Sequence, residues 1–125
     1  MKIKTKKPLE KDICKMFMRR FEVMNAYKQF KKKMFIFHIA NEQYNNKSYT
    51  ISLMQMGLKA GVADYCLLME GGRTAFLEFK RCKSSKLSSN QETFRDVCQS
   101  LGIPYEVFYE VDSAIDWIKR FSASF

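Results

Sequence analysis

Three charged side chains on two predicted strands have the types and spacing needed to hold a metal ion against a phosphodiester. Asp64 ends the segment Gly-Val-Ala-Asp at residues 61–64, just before an apolar run that is typical of a strand. Glu78 and Lys80 belong to the next such run, residues 74–81, and they project from one face because side chains alternate along a strand. The Glu-x-Lys triplet alone also fits an ordinary half-exposed strand, so the chemical interpretation depends on Asp64.

Two carboxylates a few ångströms apart repel, and the pKa of one rises unless a cation lies between them. Mg²⁺, or Mn²⁺ in its place, suits such a site because Mg²⁺ binds a few carboxylates, keeps several waters and contacts phosphate oxygens. Such an ion activates water and stabilises charge on the phosphate. Lys80 could orient that water, act as a base or stabilise the developing charge, and an ammonium of ordinary pKa favours the electrostatic role. No organic cofactor is expected.

The turn between the two predicted strands decides whether Asp64 lies on the same face as Glu78. A two-residue glycine turn would pair Asp64 with Phe79 and direct its side chain away from the site. A three-residue loop at 70–72, with Gly72 in the left-handed conformation, would instead pair Asp64 with Glu78. A metal site therefore requires that loop, or a bulge of equivalent effect.

Hydrophobic periodicity predicts the elements that would position these residues. Before the hairpin we expect a helix at 9–31, a strand at 34–39, a loop at 41–49 and a short helix, or a strand, at 50–57. After it we expect a helix that begins at Ser88 or Ser89, a strand at 104–109 and a last helix capped by Asp112. A strand that follows a crossover helix can lie parallel, so the predicted fold class is α/β, a mixed sheet flanked by helices in one domain at 1–125.

The charge of the chain favours a polyanionic partner. Its 22 Lys and Arg residues stand against 13 Asp and Glu, which gives a formal net charge of +9. Nucleic acid is the commonest such partner, although membrane surfaces and acidic proteins also attract cations and some lysines simply solvate a helix end. Four cations near the proposed site are the first candidates for phosphate contacts: Lys59, Arg81, Lys83 and Lys86. The loop at 57–61 is expected to form the rim, where glycines leave room for a phosphate.

Composition also bears on compartment and on other kinds of site. No apolar run approaches the length of a membrane span, so we expect a cytoplasmic protein without a membrane partner. The four cysteines are far apart and form no Cys-x-x-Cys pair, and His38 is the only histidine. Zinc and disulfide frameworks are therefore not expected, and Cys66 and Cys98 are predicted to lie in the core as reduced thiols.

Together, the motifs resemble those of the PD-(D/E)XK nucleases. Gly-Val-Ala-Asp at 61–64 and Leu-Glu-Phe-Lys at 77–80 resemble the motif that names the superfamily. Leu-Ser-Ser-Asn-Gln at 87–91 is similar to the glutamine motif of its VRR-NUC (virus-type replication-repair nuclease) family, and the likeness extends from residue 37 to residue 117. Ala63 stands where the family usually has proline, which removes no chemical group.

The resemblance implies a restriction-endonuclease-like sheet with an αβββαβ core, and it implies roles for particular residues. The implied site consists of Asp64 and Glu78 as metal ligands assisted by the Phe79 carbonyl, Lys80 as the catalytic lysine, Gln91 as its support and Glu10 as the first-helix acid. Glu22 is a rival for the last role. Without the family, Gln91 is equally a residue of a first helical turn, and Glu10 an acid that interacts with a helix dipole.

The function implied by the resemblance is that of a Mg²⁺-dependent DNA endonuclease in repair, recombination or phage replication. Branched DNA such as a Holliday junction is an expected substrate, and a homodimer would supply the two active sites needed to cut paired strands. A bacterial cell, or one infected by a phage, is the expected setting. The alternative is a catalytically silent nucleic-acid-binding module of nuclease fold, against which the joint presence of Asp64, Glu78, Lys80 and Gln91 argues.

Overall fold

The computed structural model describes residues 8–40 and 47–125. Helices and strands follow one another along this part of the chain in the following order: α1 (Glu10–Ala26), β1 (Met34–His38), α2 (Lys47–Gln55), β2 (Tyr65–Met69), β3 (Arg73–Phe79), α3 (Ser89–Ser100), β4 (Tyr105–Phe108) and α4 (Val111–Ala123). The predicted loop at 41–49 lies largely outside the described residues, and its last three residues instead begin α2.

The strands form one mixed sheet in the order β1-β2-β3-β4. β1, β2 and β3 are antiparallel neighbours, whereas β4 lies parallel to β3 after the crossover through α3. The prediction of a mixed α/β fold is therefore confirmed, and the crossover places the start of α3 beside the end of β3.

One face of the sheet is covered by α1 and α4. Phe17 and Phe21 of α1 and Ile115 of α4 are fully buried against Leu77 and Phe79 of β3. Burial of each such side chain stabilises the fold by about 1.5–3 kcal/mol. Because side chains alternate along β3, this packing leaves Glu78 on the opposite face of the strand.

The opposite face carries α3 and a smaller apolar cluster. Cys98 of α3 is buried beside Tyr105 of β4, with Phe94 and Phe76 packed against them. The helical spacing of Phe94, Val97, Cys98 and Leu101 predicts that all four face the core. This prediction is partly wrong, because Val97 and Leu101 are exposed. The expectation for Cys66 and Cys98 is confirmed, since both are buried free thiols.

α1 ends earlier than predicted, at Ala26 rather than near residue 31. Lys28 adopts a left-handed conformation with a φ of 55°, and the Gln29 N–H donates to the carbonyl of Met24. This backbone arrangement terminates helices because it satisfies carbonyls that the last turn leaves without partners. In the ranges 8–40 and 47–125, no helix is long and apolar enough to cross a bilayer.

Candidate active site

The loop between β2 and β3 has the length that the proposed metal site requires. Met69 pairs with Arg73, so residues 70–72 form a three-residue connection, in which Gly71 and Gly72 have φ values of 87° and 73°. Positive φ costs glycine little because it has no Cβ. At the other end of the hairpin Tyr65 pairs with Leu77. Asp64 therefore comes opposite Glu78, as the three-residue loop predicts.

The backbones of the two strands hold both carboxylates. The Asp64 N–H donates to Glu78 Oε2 over 3.1 Å, and the Phe79 N–H donates to Asp64 Oδ2 over 2.7 Å. Each acid thus accepts a hydrogen bond from the strand that carries the other. Asp64 Oδ1 accepts no hydrogen bond from the part of the chain that the structure describes.

Burial raises the pKa values of both acids. Glu78 is only 4% exposed, and burial raises its pKa to about 8, with a further contribution from the charge of Asp64. Burial also raises the pKa of Asp64, which the hydrogen bond from Phe79 opposes. A nearby cation would stabilise these two acids, because it offsets the cost of their charge.

Lys80 and Gln91 meet the same oxygen of Glu78. The Lys80 ammonium lies 3.9 Å from Glu78 Oε1, and Gln91 Nε2 donates to that atom over 2.9 Å. The amide oxygen of Gln91 accepts the Ser88 N–H, while the Ser88 hydroxyl accepts the Gln91 N–H, which completes a capping box. Gln91 therefore caps α3 and contacts Glu78 at once, so the two roles weighed from sequence are compatible.

Glu10 is the first-helix acid at this site. Its Oε1 accepts the Arg81 N–H over 3.3 Å, and its charge raises the pKa values of Asp64 and Glu78. Glu22 is exposed and lies 12 residues further along α1, about 18 Å away along the helix axis. Of the two candidates for the first-helix acid, only Glu10 is therefore positioned at the site.

The donors gathered here fit a hard divalent cation. Asp64 and Glu78 contribute carboxylate oxygens, and the buried ring of Phe79 points into the core, so only the backbone of that residue can contribute to the site. Oxygen ligands with several retained waters suit Mg²⁺ and, by the same chemistry, Mn²⁺. Among the described residues, no group of three or more His, Cys, Asp or Glu side chains is placed to hold a metal ion.

The four cations proposed from sequence do not form one cluster. Arg81 is next to Lys80 and its backbone contacts Glu10, whereas Lys83 and Lys86 line a separate cavity of about 520 Å³ beside β4. Lys59 is exposed in the loop before Gly61. A different set of cations, on α1, lines a cavity that reaches Asp64, and these cations were not among those predicted from sequence.

Gly61 is required by a protein contact rather than by a phosphate. Its φ is +74°, and an added Cβ would lie 2.7 Å from the backbone carbon of Asn90 and 2.8 Å from the nitrogen of Gln91. The loop therefore packs against the first turn of α3, where the space assumed from sequence to be open is filled. At Gly57, by contrast, an added Cβ would meet nothing within 4 Å.

Tyr105 carries a buried hydroxyl near the acids. Within the described ranges this hydroxyl has no hydrogen-bond partner, and the charges of Glu78 and Asp64 add to the effect of burial in raising the Tyr105 pKa. An unsatisfied buried hydroxyl destabilises a fold.

Tyr105→Phe should therefore raise the free energy of unfolding by about 1 kcal/mol in a urea titration. A loss of stability would instead show that the hydroxyl is hydrogen-bonded in solution.

Comparison with family models, with curated proteins and with solved structures finds no match to this chain.

Proposed function

We propose that this protein is a Mg²⁺-dependent DNA endonuclease of the VRR-NUC family, within the PD-(D/E)XK superfamily. The observation that carries the proposal is the hairpin register, which brings Asp64 opposite Glu78. Lys80 and Gln91, from two further positions in the motif, contact the same carboxylate. These residues come from separate segments of the chain, and only the fold brings them together. Short motifs that matched by chance would have no reason to meet at one carboxylate.

Each residue has a task that follows from its surroundings. Asp64 Oδ1 and the Glu78 carboxylate would hold the ion, and Gln91 would fix the orientation of Glu78 through its amide N–H. When bound, Mg²⁺ or Mn²⁺ supplies a more acidic water and stabilises negative charge on the phosphate. The Lys80 side chain is 12% exposed, so its ammonium can stabilise charge that develops on a phosphate at the surface of the site.

An exposed apolar area supports the homodimer in this proposal. Phe35 of β1 lies opposite Leu68 of β2, and Phe37 is on the same face, with exposures of 63%, 42% and 41%. The rings of Phe35 and Phe37 are 6.3 Å apart. Contiguous exposed apolar side chains of this kind mark protein interfaces. A second copy seated there would provide the two active sites needed to cut both strands of a Holliday junction during repair, recombination or phage replication.

One observation favours the alternative of a silent nucleic-acid-binding module. Both Glu78 oxygens already accept hydrogen bonds, one from the Asp64 backbone and one from Gln91, as in a purely structural carboxylate. In that case the basic surface would bind DNA, but cleavage would be absent with any metal.

The deciding experiment is incubation of the purified protein with labelled single-stranded, duplex, flap and four-way-junction DNA. We expect cleavage with Mg²⁺ or Mn²⁺, strongest on the four-way junction, and none with EDTA, because the water and the phosphate need the cation. Light scattering of the same sample gives the oligomeric state. DNA binding without cleavage in either metal would establish the silent module instead.

A further inference from the structure

A cleft of about 690 Å³ is lined by Asp64 and by residues of α1. Its lining includes Lys11, Lys15 and Arg19 of α1 together with His38 of β1. The α1 segment that lines the cleft also contributes Cys14 and Met18, which give it an apolar surface. The cleft thus joins the proposed catalytic acids to a surface of α1 that has no part in holding them.

The three cations form a regular row. They are spaced four residues apart, so they lie on one side of the helix and advance by about 6 Å per step. The row from Lys11 to Arg19 therefore extends over about 12 Å, which is longer than one phosphate group. A polymer with repeated negative charges matches such a row better than a small anion does.

These charges are available to a ligand. Lys11, Lys15 and Arg19 are all exposed, and none forms an ion pair with another residue of the ranges 8–40 and 47–125. The next residue on α1, Arg20, points elsewhere and pairs with Asp112 of α4. The cations that face the cleft are thus the ones that the fold leaves without acidic partners in the described chain.

The order of charges along the cleft gives it a direction. Glu10 begins α1 and lines the cleft together with Asp64, and Lys11, Lys15 and Arg19 follow Glu10 along the helix. A phosphodiester chain placed on the cations would gain charge-assisted contacts while one of its phosphates reached the acids. Without a cation between them, the same acids would repel that phosphate, so the row can offset part of the repulsion.

We propose that this cleft binds one sugar-phosphate strand of a nucleic acid and directs it to Asp64 and Glu78. The choice of a nucleic acid as the ligand rests on the proposed function. The cations that would bind the strand, however, are not the proposed catalytic residues. It assigns the strand path to α1, a different surface from the four cations named from sequence.

The test compares two triple variants that remove the same charge. One variant is Lys11→Ala with Lys15→Ala and Arg19→Ala, and the control is Lys31→Ala with Lys33→Ala and Lys119→Ala, which are exposed cations that do not line the cleft. Binding of a fluorescein-labelled single-stranded oligonucleotide is measured in EDTA over a salt series. Thermal melting of both variants monitors their folding.

The cleft variant should bind about 10- to 100-fold more weakly at moderate salt, and the slope of log affinity against log salt should become shallower by about 2. The control should stay close to the parent in both quantities. Equal losses in the two variants, or none in the cleft variant, would overturn the assignment.

Results for the cleft and for the proposed function can be told apart. If the parent cuts DNA but the cleft variant binds like the parent, the strand path is wrong and the nuclease stands. If the parent never cuts while the cleft variant alone loses binding, the strand path stands and the nuclease proposal fails.

Discussion

Replacing Asp64 by asparagine should lower the rate of DNA cleavage by about 1000-fold or more while leaving the protein folded. Asparagine keeps the shape of the side chain and an oxygen that can accept the Phe79 N–H, but it lacks the charge that would hold a cation. Metal ions contribute several kcal/mol to such reactions, and about 1.36 kcal/mol corresponds to a tenfold change in rate.

The stability of the same variant separates a catalytic role from a structural one. The charge of Asp64 raises the pKa of Glu78, so removal of that charge relieves repulsion between the half-buried Asp64 and the buried Glu78. In EDTA the variant should melt at or above the temperature of the parent. Mg²⁺ should raise the melting temperature of the parent alone, because binding to the folded state stabilises it.

A matched control is Asp116→Asn, which makes the same chemical change at an exposed position on α4. It should leave cleavage and the response to Mg²⁺ unchanged. If Asp64→Asn melted well below the parent in EDTA and lost DNA binding with activity, Asp64 would be a structural residue. The proposal of a metal site would then have lost its first ligand.

The hairpin could be predicted from sequence because its rules are local. Strand β2 lies at Tyr65–Met69, where the apolar run places it, and the two glycines determine a loop that only a few geometries satisfy. That loop sets the register, and the register brings Asp64 opposite Glu78. Local rules thus reduced the turn to two alternatives, and the structure has the three-residue loop on which the candidate site depends.

Features that depend on distant segments could not be predicted in this way. The ends of α1 and the exposed side of α3 are set by what packs on them, so periodicity overestimated the length of one and the burial of the other. Lys11, Lys15 and Arg19 have a spacing that was visible in the sequence. Their position beside Asp64, however, depends on how α1 lies across the sheet.

Gly61 is another residue whose main contact could not be predicted from sequence, and its substitution is expected to have a large effect on stability. A turn could be predicted there, but its contact is with Asn90, 29 residues later in the chain. Gly61→Ala should lower the free energy of unfolding by about 2–5 kcal/mol. Of this, about 1–2 kcal/mol comes from a left-handed backbone with a Cβ, and about 1–3 kcal/mol from the collision with α3.

Cleavage should fall together with stability in Gly61→Ala, for a specific geometric reason. The new Cβ can be accommodated only if the loop or the first turn of α3 moves, and that turn carries Gln91, the hydrogen-bond donor to Glu78. We therefore expect the cleavage rate, measured at a temperature where the variant is fully folded, to be at least tenfold below that of the parent. This corresponds to an increase of about 1.4 kcal/mol in the activation barrier.

Gly57→Ala is the control that isolates the contact. Gly57 also has positive φ, at 111°, but its added Cβ would meet nothing within 4 Å, so only backbone strain of about 1–2 kcal/mol is expected. Denaturant titrations of both variants, with cleavage assays on the folded proteins, measure the difference. If both variants lost the same stability and kept the cleavage rate of the parent, the loop and α3 would not be in contact as described. The position of Gln91 beside Glu78 would then not depend on that contact.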